Sequence, residues 1–401
     1  MSESYDLVVV GAGIVGLAST LALLEREPGL RVVIVERHDR VAAGQSGHNS
    51  GVLHAGVYYK PGSYKARLCR AGRLRMIDYC EKRGVAYRLC GKLVVATTDP
   101  EVERLVALES RARDNGLEGL EMLGPEQFAA VEPHVRGLAA LRVPESGVVD
   151  FGEVCTAMAR DLVDRGVTFR LRSTLLRATE RDGRLGLALR NGSLRAKALL
   201  NCAGLWSDEV ARACGVRFDA RVVPFRGEYW KLREQRRDLV RALIYPVPDP
   251  ALPFLGVHLT RDVHGVVDAG PNAVFAFARE GYTRGDIDLA HLLQTLTFRG
   301  FLPMARQHWR HGLAEMRRSL SPRRLVADLQ RLVPELRLED LEPAPAGVRA
   351  QVVGADGALV DDFLFASGPR SVHVLNAPSP AATASLSIGD EVATRVLEEL
   401  F

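Results

Sequence analysis

The sequence contains no run of the ~18 apolar residues that a bilayer-crossing helix needs. Its opening, Ser2-Glu3-Ser4-Tyr5-Asp6, carries no positive charge of the kind that begins a secretory leader. The six cysteines (Cys69, Cys80, Cys90, Cys155, Cys202 and Cys214) form no CxxC pair, and a chain of 401 residues does not depend on disulfide staples. Free thiols in a reducing compartment are expected. Cys and His show no zinc-ligand spacing, and neither HExxH nor GxSxG occurs, so metal-hydrolase and serine-hydrolase readings have no support. Aromatic residues make up only 6% of the chain, and its net charge of +4 is spread along it. That weak basic balance does not argue for a nucleic-acid partner. The expectation is a cytosolic protein.

What is present is an ordinary globular composition, 47% hydrophobic and 25% charged. The first forty residues hold a complete βαβ pattern. Leu7–Val10 is a short β-branched run, Gly11-Ala12-Gly13-Ile14-Val15-Gly16 follows, and a helical pattern runs from Val15 to about Arg26. Pro28-Gly29 breaks it, and Arg31–Val35 predicts a second strand ending at Glu36. Gly11 permits the tight turn, Gly13 lets backbone approach a pyrophosphate, and Gly16 lets helix and strand pack closely. The helix start offers free N–H groups to phosphate. Glu36, 20 positions past Gly16, can accept hydrogen bonds from ribose hydroxyls and would repel a 2′-phosphate. The pattern predicts a bound dinucleotide other than NADP.

Two later segments choose the dinucleotide. Leu199-Leu200-Asn201-Cys202-Ala203-Gly204-Leu205-Trp206-Ser207 resembles the NxAGxWS segment of the D-amino acid oxidase-like flavoproteins. Near the end, a strand at Ser371–Leu375 leads through Asn376-Ala377-Pro378-Ser379-Pro380-Ala381-Ala382-Thr383-Ala384-Ser385 into a helix from about Ser387. In those flavoproteins such a loop and helix start face the N1/O2 edge of the isoalloxazine, where charge develops on reduction. The resemblance implies FAD.

The predicted fold is α/β (α+β), with a Rossmann-type FAD-binding domain of the D-amino acid oxidase-like/glutathione reductase type and an interleaved antiparallel-sheet substrate domain. Residues 1–85, 151–219 and 346–401 are expected to build the first, and 86–150 and 220–345 the second. Expected elements include a strand at Leu93–Ala96, helices at Pro100–Asn115 and Gly152–Arg165, a hairpin turning at Asn191-Gly192, a strand at Phe254–Thr260, and a helical stretch from about Asp288 to Leu332. That stretch carries Arg306, Arg310, Arg317, Phe298, Leu302 and Trp309 among others. Its favoured reading is a solvated face over a core stripe, and its second reading a basic amphipathic surface touching anionic lipid, a peripheral membrane contact at the inner (plasma) membrane.

Longer segments carry a narrower resemblance. Gln45-Ser-Gly-His-Asn-Ser-Gly-Val-Leu-His-Ala-Gly-Val-Tyr-Tyr-Lys-Pro-Gly62 is similar to the HNSGV(I/L)H(S/A)GIYYKP segment of the L-2-hydroxyglutarate oxidase/dehydrogenase family. Val223–Tyr229, Tyr245–Asp249, Pro253–Thr260, Gly270–Ala273, Gly347–Gln351 and Asn376–Thr383 match the same family in order, whereas Asp268 and Arg317 depart from its usual residues. The resemblance implies oxidation of L-2-hydroxyglutarate to 2-oxoglutarate, with hydride passing from C2 to flavin N5 and electrons then reaching a quinone, a respiratory chain or oxygen. It implies cofactor contacts at Gly11, Gly13, Gly16, Glu36, Arg37, Ser46, His48, Asn49, Ser50, Gly51, Ala203, Gly204, Pro380, Ala381, Ala382 and Thr383. A 2-hydroxy-acid oxidation needs a carboxylate clamp and a base. Arg349 is the expected clamp, because its fork binds a carboxylate bidentately, and Arg226 is a second candidate unless it pairs with Glu228. His54 and His258 are the candidate bases, Tyr58 and Lys60 the candidate contacts of the distal carboxylate, and Thr260 a further candidate substrate contact. Competing readings are a glycerol-3-phosphate dehydrogenase, an amino-acid oxidase, or a flavoprotein without catalysis.

Overall fold

The computed structural model describes residues 3–250 and 255–401. Pro253 and Phe254, the start of the expected Phe254–Thr260 strand, lie outside the described residues, and the strand following them is His258–Arg261.

The first sheet grows from the chain's first strand, Ser4–Val10, whose last four residues are all buried. Burial on both faces suits a central parallel strand. Val8 faces Val33 of Val32–Val35 on one side and Leu199 of Gly192–Asn201 on the other, both in parallel register. Thr168–Arg170 and Ser371–Asn376 add further parallel strands. Leu175–Arg181 and Arg184–Leu189 fold back as antiparallel hairpins on the first half of Gly192–Asn201. The second hairpin turns at Arg190-Asn191, one residue earlier than expected, with Gly192 already paired to Leu189. The buried Leu187–Leu194 cross-strand pair sets that register, because a one-residue slip would turn both leucines outward.

The helix Ile14–Arg26 is buried at nearly every position through Leu24. It lies between the helices Phe151–Asp164 and Ser385–Leu400. A Cβ at Gly389 would sit 2.6 Å from the Ala18 carbonyl oxygen, so that glycine permits the close crossing. Ser63 caps the next helix, Tyr64–Arg83, through its side chain, and Gly84 ends it in the left-handed region at φ 66°.

The second sheet has eight strands in the order Leu341–Pro343, Trp230–Leu232, Val267–Gly270, His258–Arg261, Leu243–Pro246, Lys92–Ala96, Ala139–Val143, Glu121–Leu123. It is antiparallel, as expected, except between Leu243–Pro246 and Lys92–Ala96, which run parallel. The reason is topological: the two strands come from segments far apart in sequence, and no hairpin dictates their sense. Side-chain alternation divides the sheet's two faces. Leu93, Val95, Ile244 and Leu259 join a core with Leu325, Leu329 and Leu332. The opposite face carries Lys92, Val94, Tyr245, His258 and Thr260.

Two small sheets join these layers. Ala220–Gly227 pairs with Val274–Phe275 and with Gly347–Gly354, in a register that sets Phe225 opposite Arg349. Gly347–Gly354, expected to open the last nucleotide-domain segment, therefore belongs to this connecting sheet. Val52–Leu53, Gly147–Val149 and Tyr87–Arg88 form the other and anchor the loop after the ribose-side strand.

Three helices fill the expected helical stretch: Leu289–Leu296, Phe301–Leu320 and Pro322–Gln330. In the second of them Met304 and Glu315 are the buried positions, whereas Leu302, Trp309, Leu313, Met316 and Leu320 are exposed. The expected core stripe holds at Phe298, Phe301 and Met304 and again in Pro322–Gln330, where Leu325, Val326 and Leu329 are buried. Along the rest of Phe301–Leu320 it is corrected, because the apolar stripe there has the right period but faces outward.

Candidate active site

At the mouth of the first sheet, Gly11 adopts φ +109°, and a Cβ there would lie 2.4 Å from the Cys202 carbonyl oxygen. A Cβ on Gly16 would lie 2.2 Å from the Gly11 carbonyl oxygen. Gly13 precedes the helix start, and the Ile14 N–H donates to Ser46 Oγ at 2.9 Å. Glu36 is 8% exposed, and its two carboxylate oxygens accept from the Ala12 and His38 N–H groups at 2.8 and 2.9 Å. A side-chain-free cradle, a hydroxyl before a helix start and a fixed carboxylate at the strand end fit a dinucleotide of the FAD type.

Beside Glu36, the expected Arg37 lies in a cluster with residues that sequence reasoning missed. The Arg37 guanidinium lies 4.0 Å from the centroid of Trp206, whose indole N–H donates to Glu280 at 2.9 Å. Glu280 also meets Arg37 and His38, each at 3.3 Å. Ala203 and Gly204, the latter at φ +55°, form the turn that leads to Trp206.

The Gln45–Gly51 loop is held by its own side chains. Asn49 Nδ2 donates to the Ser46 carbonyl at 2.7 Å, and its Oδ1 accepts from the Gly51 N–H at 2.9 Å. His48 Nδ1 lies 2.9 Å from the Gly44 carbonyl, and its ring packs 4.4 Å from that of Tyr282. Ser50 faces the Tyr229 hydroxyl. From the other end of the chain, buried Thr383 joins this loop to the Pro380-Ala381-Ala382 turn. Its Oγ1 donates to the Val52 carbonyl and accepts from the His54 N–H, both at 3.1 Å. The first turn of Ser385–Leu400 follows at once.

His54 is thus delivered to the site-bearing face of the second sheet. His258 is 6% exposed and stacks on Tyr245, ring centroids 3.9 Å apart. His258 Nδ1 is 2.9 Å from the Gly256 carbonyl, so that nitrogen donates and Nε2 keeps its lone pair. Burial pushes both imidazoles down to about 3; the Lys92 charge adds to this in both, His258 acts on His54, and Arg349 acts on His258. Both are neutral near pH 7. Arg349, across from Phe225, acts on Tyr229, Tyr245 and His258, and burial lowers its own pKa. Thr260 is 1% exposed and shares the face of His258. Tyr58 lies beside Tyr245, and its hydroxyl is buried with no hydrogen bond among the described residues.

Two expected substrate contacts are placed elsewhere. Arg226 lies on the opposite face of its strand from Arg349's partner Phe225. Its guanidinium meets Glu228 at 3.1 Å and the Thr283 carbonyl at 3.1 Å. A carboxylate within the chain has claimed it. Lys60 is exposed and is not among the groups acting on either histidine. The lysine whose charge acts on both histidines is Lys92, 2% exposed, with a pKa lowered to about 7 by burial. Its only sequence signal was a charge opening the apolar run Leu93–Ala96.

A family profile described as FAD dependent oxidoreductase (DAO) matches residues 6–395. The chain is 42% identical to the L-2-hydroxyglutarate dehydrogenase of Escherichia coli strain K12 over 98% of its own length and 93% of the relative's. It is 40% identical to the human protein "L-2-hydroxyglutarate dehydrogenase, mitochondrial", covering 98% of this chain and 89% of that one. Among solved structures, FAD-bound L-alpha-glycerophosphate oxidase from Mycoplasma pneumoniae superposes with a TM-score of 0.80 at 23% identity, covering 99% of this chain and 95% of that one. At that identity the likeness speaks for the fold alone. The cradle, the two-sheet architecture and the near-full-length matches lead to one assignment: the chain belongs to the L-2-hydroxyglutarate dehydrogenase family of FAD-dependent oxidoreductases.

Proposed function

We propose that this protein oxidises L-2-hydroxyglutarate to 2-oxoglutarate. The observation that carries the reading is the pair of neutral histidines, His54 and His258, with His258 acting on His54 and Arg349 acting on His258. FAD, when bound, supplies a two-electron acceptor. The chain's own residues supply binding and proton handling. Arg349 clamps the carboxylate next to C2 and so orients that carbon. His258, its Nδ1–H spent on the Gly256 carbonyl, offers Nε2 to the hydroxyl proton. His54, tied to Thr383, completes the polar wall. A bound dianion offsets the cationic charge that depresses both imidazoles, which raises their proton affinity when a base is needed.

The electron acceptor belongs to the same proposal: a membrane quinone, with oxygen as the alternative. Its support is the outward stripe. Leu289 and Leu293 on one helix, and Trp309 and Leu320 on its neighbour, are 70%, 61%, 58% and 73% exposed. They are interleaved with exposed Arg306, Arg310 and Arg317. Apolar bulk flanked by positive charge suits a peripheral contact with anionic lipid. No helix among the described residues is long and apolar enough to cross a membrane.

The test is turnover with an artificial electron acceptor and identification of the product. One 2-oxoglutarate formed per acceptor pair reduced supports the proposal. Absence of 2-oxoglutarate from an FAD-replete preparation rejects it.

A further inference from the structure

Lys92 stands out because it is buried and no carboxylate among the described residues acts on it. It opens the strand Lys92–Ala96 and pairs in register with Leu243, which places its side chain on the face of Tyr245, His258 and Thr260. Its ammonium lies 4.0 Å from the centroid of the Tyr245 ring and 5.3 Å from that of Tyr58. The Tyr245 strand runs between those of Lys92 and His258, so the tyrosine ring separates the ammonium from the imidazole it stacks on. Among the described residues, the groups that favour its charge are the Cys69 and Cys90 thiols. Faces of aromatic rings attract a cation but do not replace a counter-ion. The Tyr58 ring that it faces carries a hydroxyl buried without a hydrogen-bond partner among the described residues. A cation and an orphan donor at one place form a seat for an oxyanion.

We propose that Lys92 Nζ, together with the Tyr58 hydroxyl, holds the carboxylate at the far end of a dicarboxylic substrate, while Arg349 holds the carboxylate beside the reacting carbon. This rests on the proposed oxidation of L-2-hydroxyglutarate and deepens it: Lys92 makes the site select a diacid. A 2-hydroxy acid of the same length ending in a methyl group leaves the ammonium uncompensated and the hydroxyl unpaired.

The test compares L-2-hydroxyglutarate with L-2-hydroxypentanoate in the holoenzyme and in Lys92→Met, a substitution of similar length that removes the charge and the N–H donors together. The ratio of kcat/KM for the two substrates is expected to collapse by roughly 10–100-fold, carried by KM for the diacid. In the unsubstituted enzyme, kcat/KM for the diacid should also decline above about pH 7 as Lys92 loses its proton, and Lys92→Met should lack that decline. A fall of equal size on both substrates, or an unchanged alkaline limb, overturns the assignment. If Lys92→Met fails to retain FAD, Tyr58→Phe provides the second reading, with the same ratio falling by roughly 10-fold and an unchanged ratio counting against the seat. If L-2-hydroxyglutarate fails to reduce the unsubstituted enzyme, the functional proposal falls first and takes this assignment with it. Equal loss on both substrates removes this assignment alone.

Discussion

Single atoms decide the cofactor cradle. A methyl group on Gly16 would stand 2.2 Å from the Gly11 carbonyl oxygen, backbone that cannot swing aside. Gly16→Ala should therefore yield protein with little of the flavin absorbance near ~450 nm, and an FAD dissociation constant raised at least 100-fold, about 2.7 kcal/mol. Retention of stoichiometric FAD would show that the turn can relax. The two arginines of the substrate layer should separate cleanly. Arg226 and Glu228 are 9% and 12% exposed at the side chain, and Glu228 keeps Arg284 and Asn272 as further partners. Arg226→Met should cost about 2 kcal/mol in urea unfolding, with KM for L-2-hydroxyglutarate shifted less than about threefold. Arg349→Met should lower kcat/KM by about 100-fold or more, as loss of a bidentate charged contact does. Reversed outcomes for the two would exchange their roles.

At the level of elements, pattern and burial part company. Helix periodicity announced Ile14–Arg26 and the 16-residue helix Asp99–Asp114, because both press an apolar face on a sheet. The same periodicity in Phe301–Leu320 indicated a stripe without telling which way it faced. Only the packing of Met304 and Glu315 inward, with Trp309 left outside, settles the direction. The exposed stripe leads to a prediction. Sedimentation with vesicles containing an anionic phospholipid should pull down the protein, weakly in salt and not with neutral vesicles. Trp309→Gln combined with Leu320→Gln should weaken binding by roughly tenfold or more, from the apolar area withdrawn from lipid. Salt-independent binding, or none, would remove the membrane part of the proposal.

Over the whole molecule, what was legible from the sequence was local and what was not was long-range. The βαβ start, with Glu36 in reach, follows from spacing within forty residues. That the charge acting on the histidines is Lys92 and not Lys60 follows from a strand pairing between segments about 150 residues apart, which no local pattern encodes. Arg226 is the opposite case: its pairing with Glu228, two residues along, was open to the sequence, and only the Thr283 carbonyl comes from a distant loop. The folded chain also carries three histidines buried as neutral rings, His54 and His258 at about 3 and His373 at about 4. Their folded pKa values lie below the unfolded value of ~6.5. Below that pH the unfolded chain takes up protons that the folded chain refuses, so stability falls as pH drops from ~6.5 toward the folded values. Each histidine contributes a slope approaching about 1.4 kcal/mol per pH unit within that window. Chemical unfolding of FAD-free protein from pH 7 to 4 should show this loss, and His258→Asn should reduce the slope by about one proton. An identical slope would mean that His258 is protonated in the fold.

The most direct measurement is an anaerobic titration of the purified, FAD-replete protein with L-2-hydroxyglutarate, followed in the visible spectrum. The account predicts bleaching of the flavin band at one equivalent per site, with the D-isomer, glycerol 3-phosphate and amino acids leaving it oxidised. A flavin that stays oxidised with the L-isomer, or bleaches instead with one of the others, would contradict it.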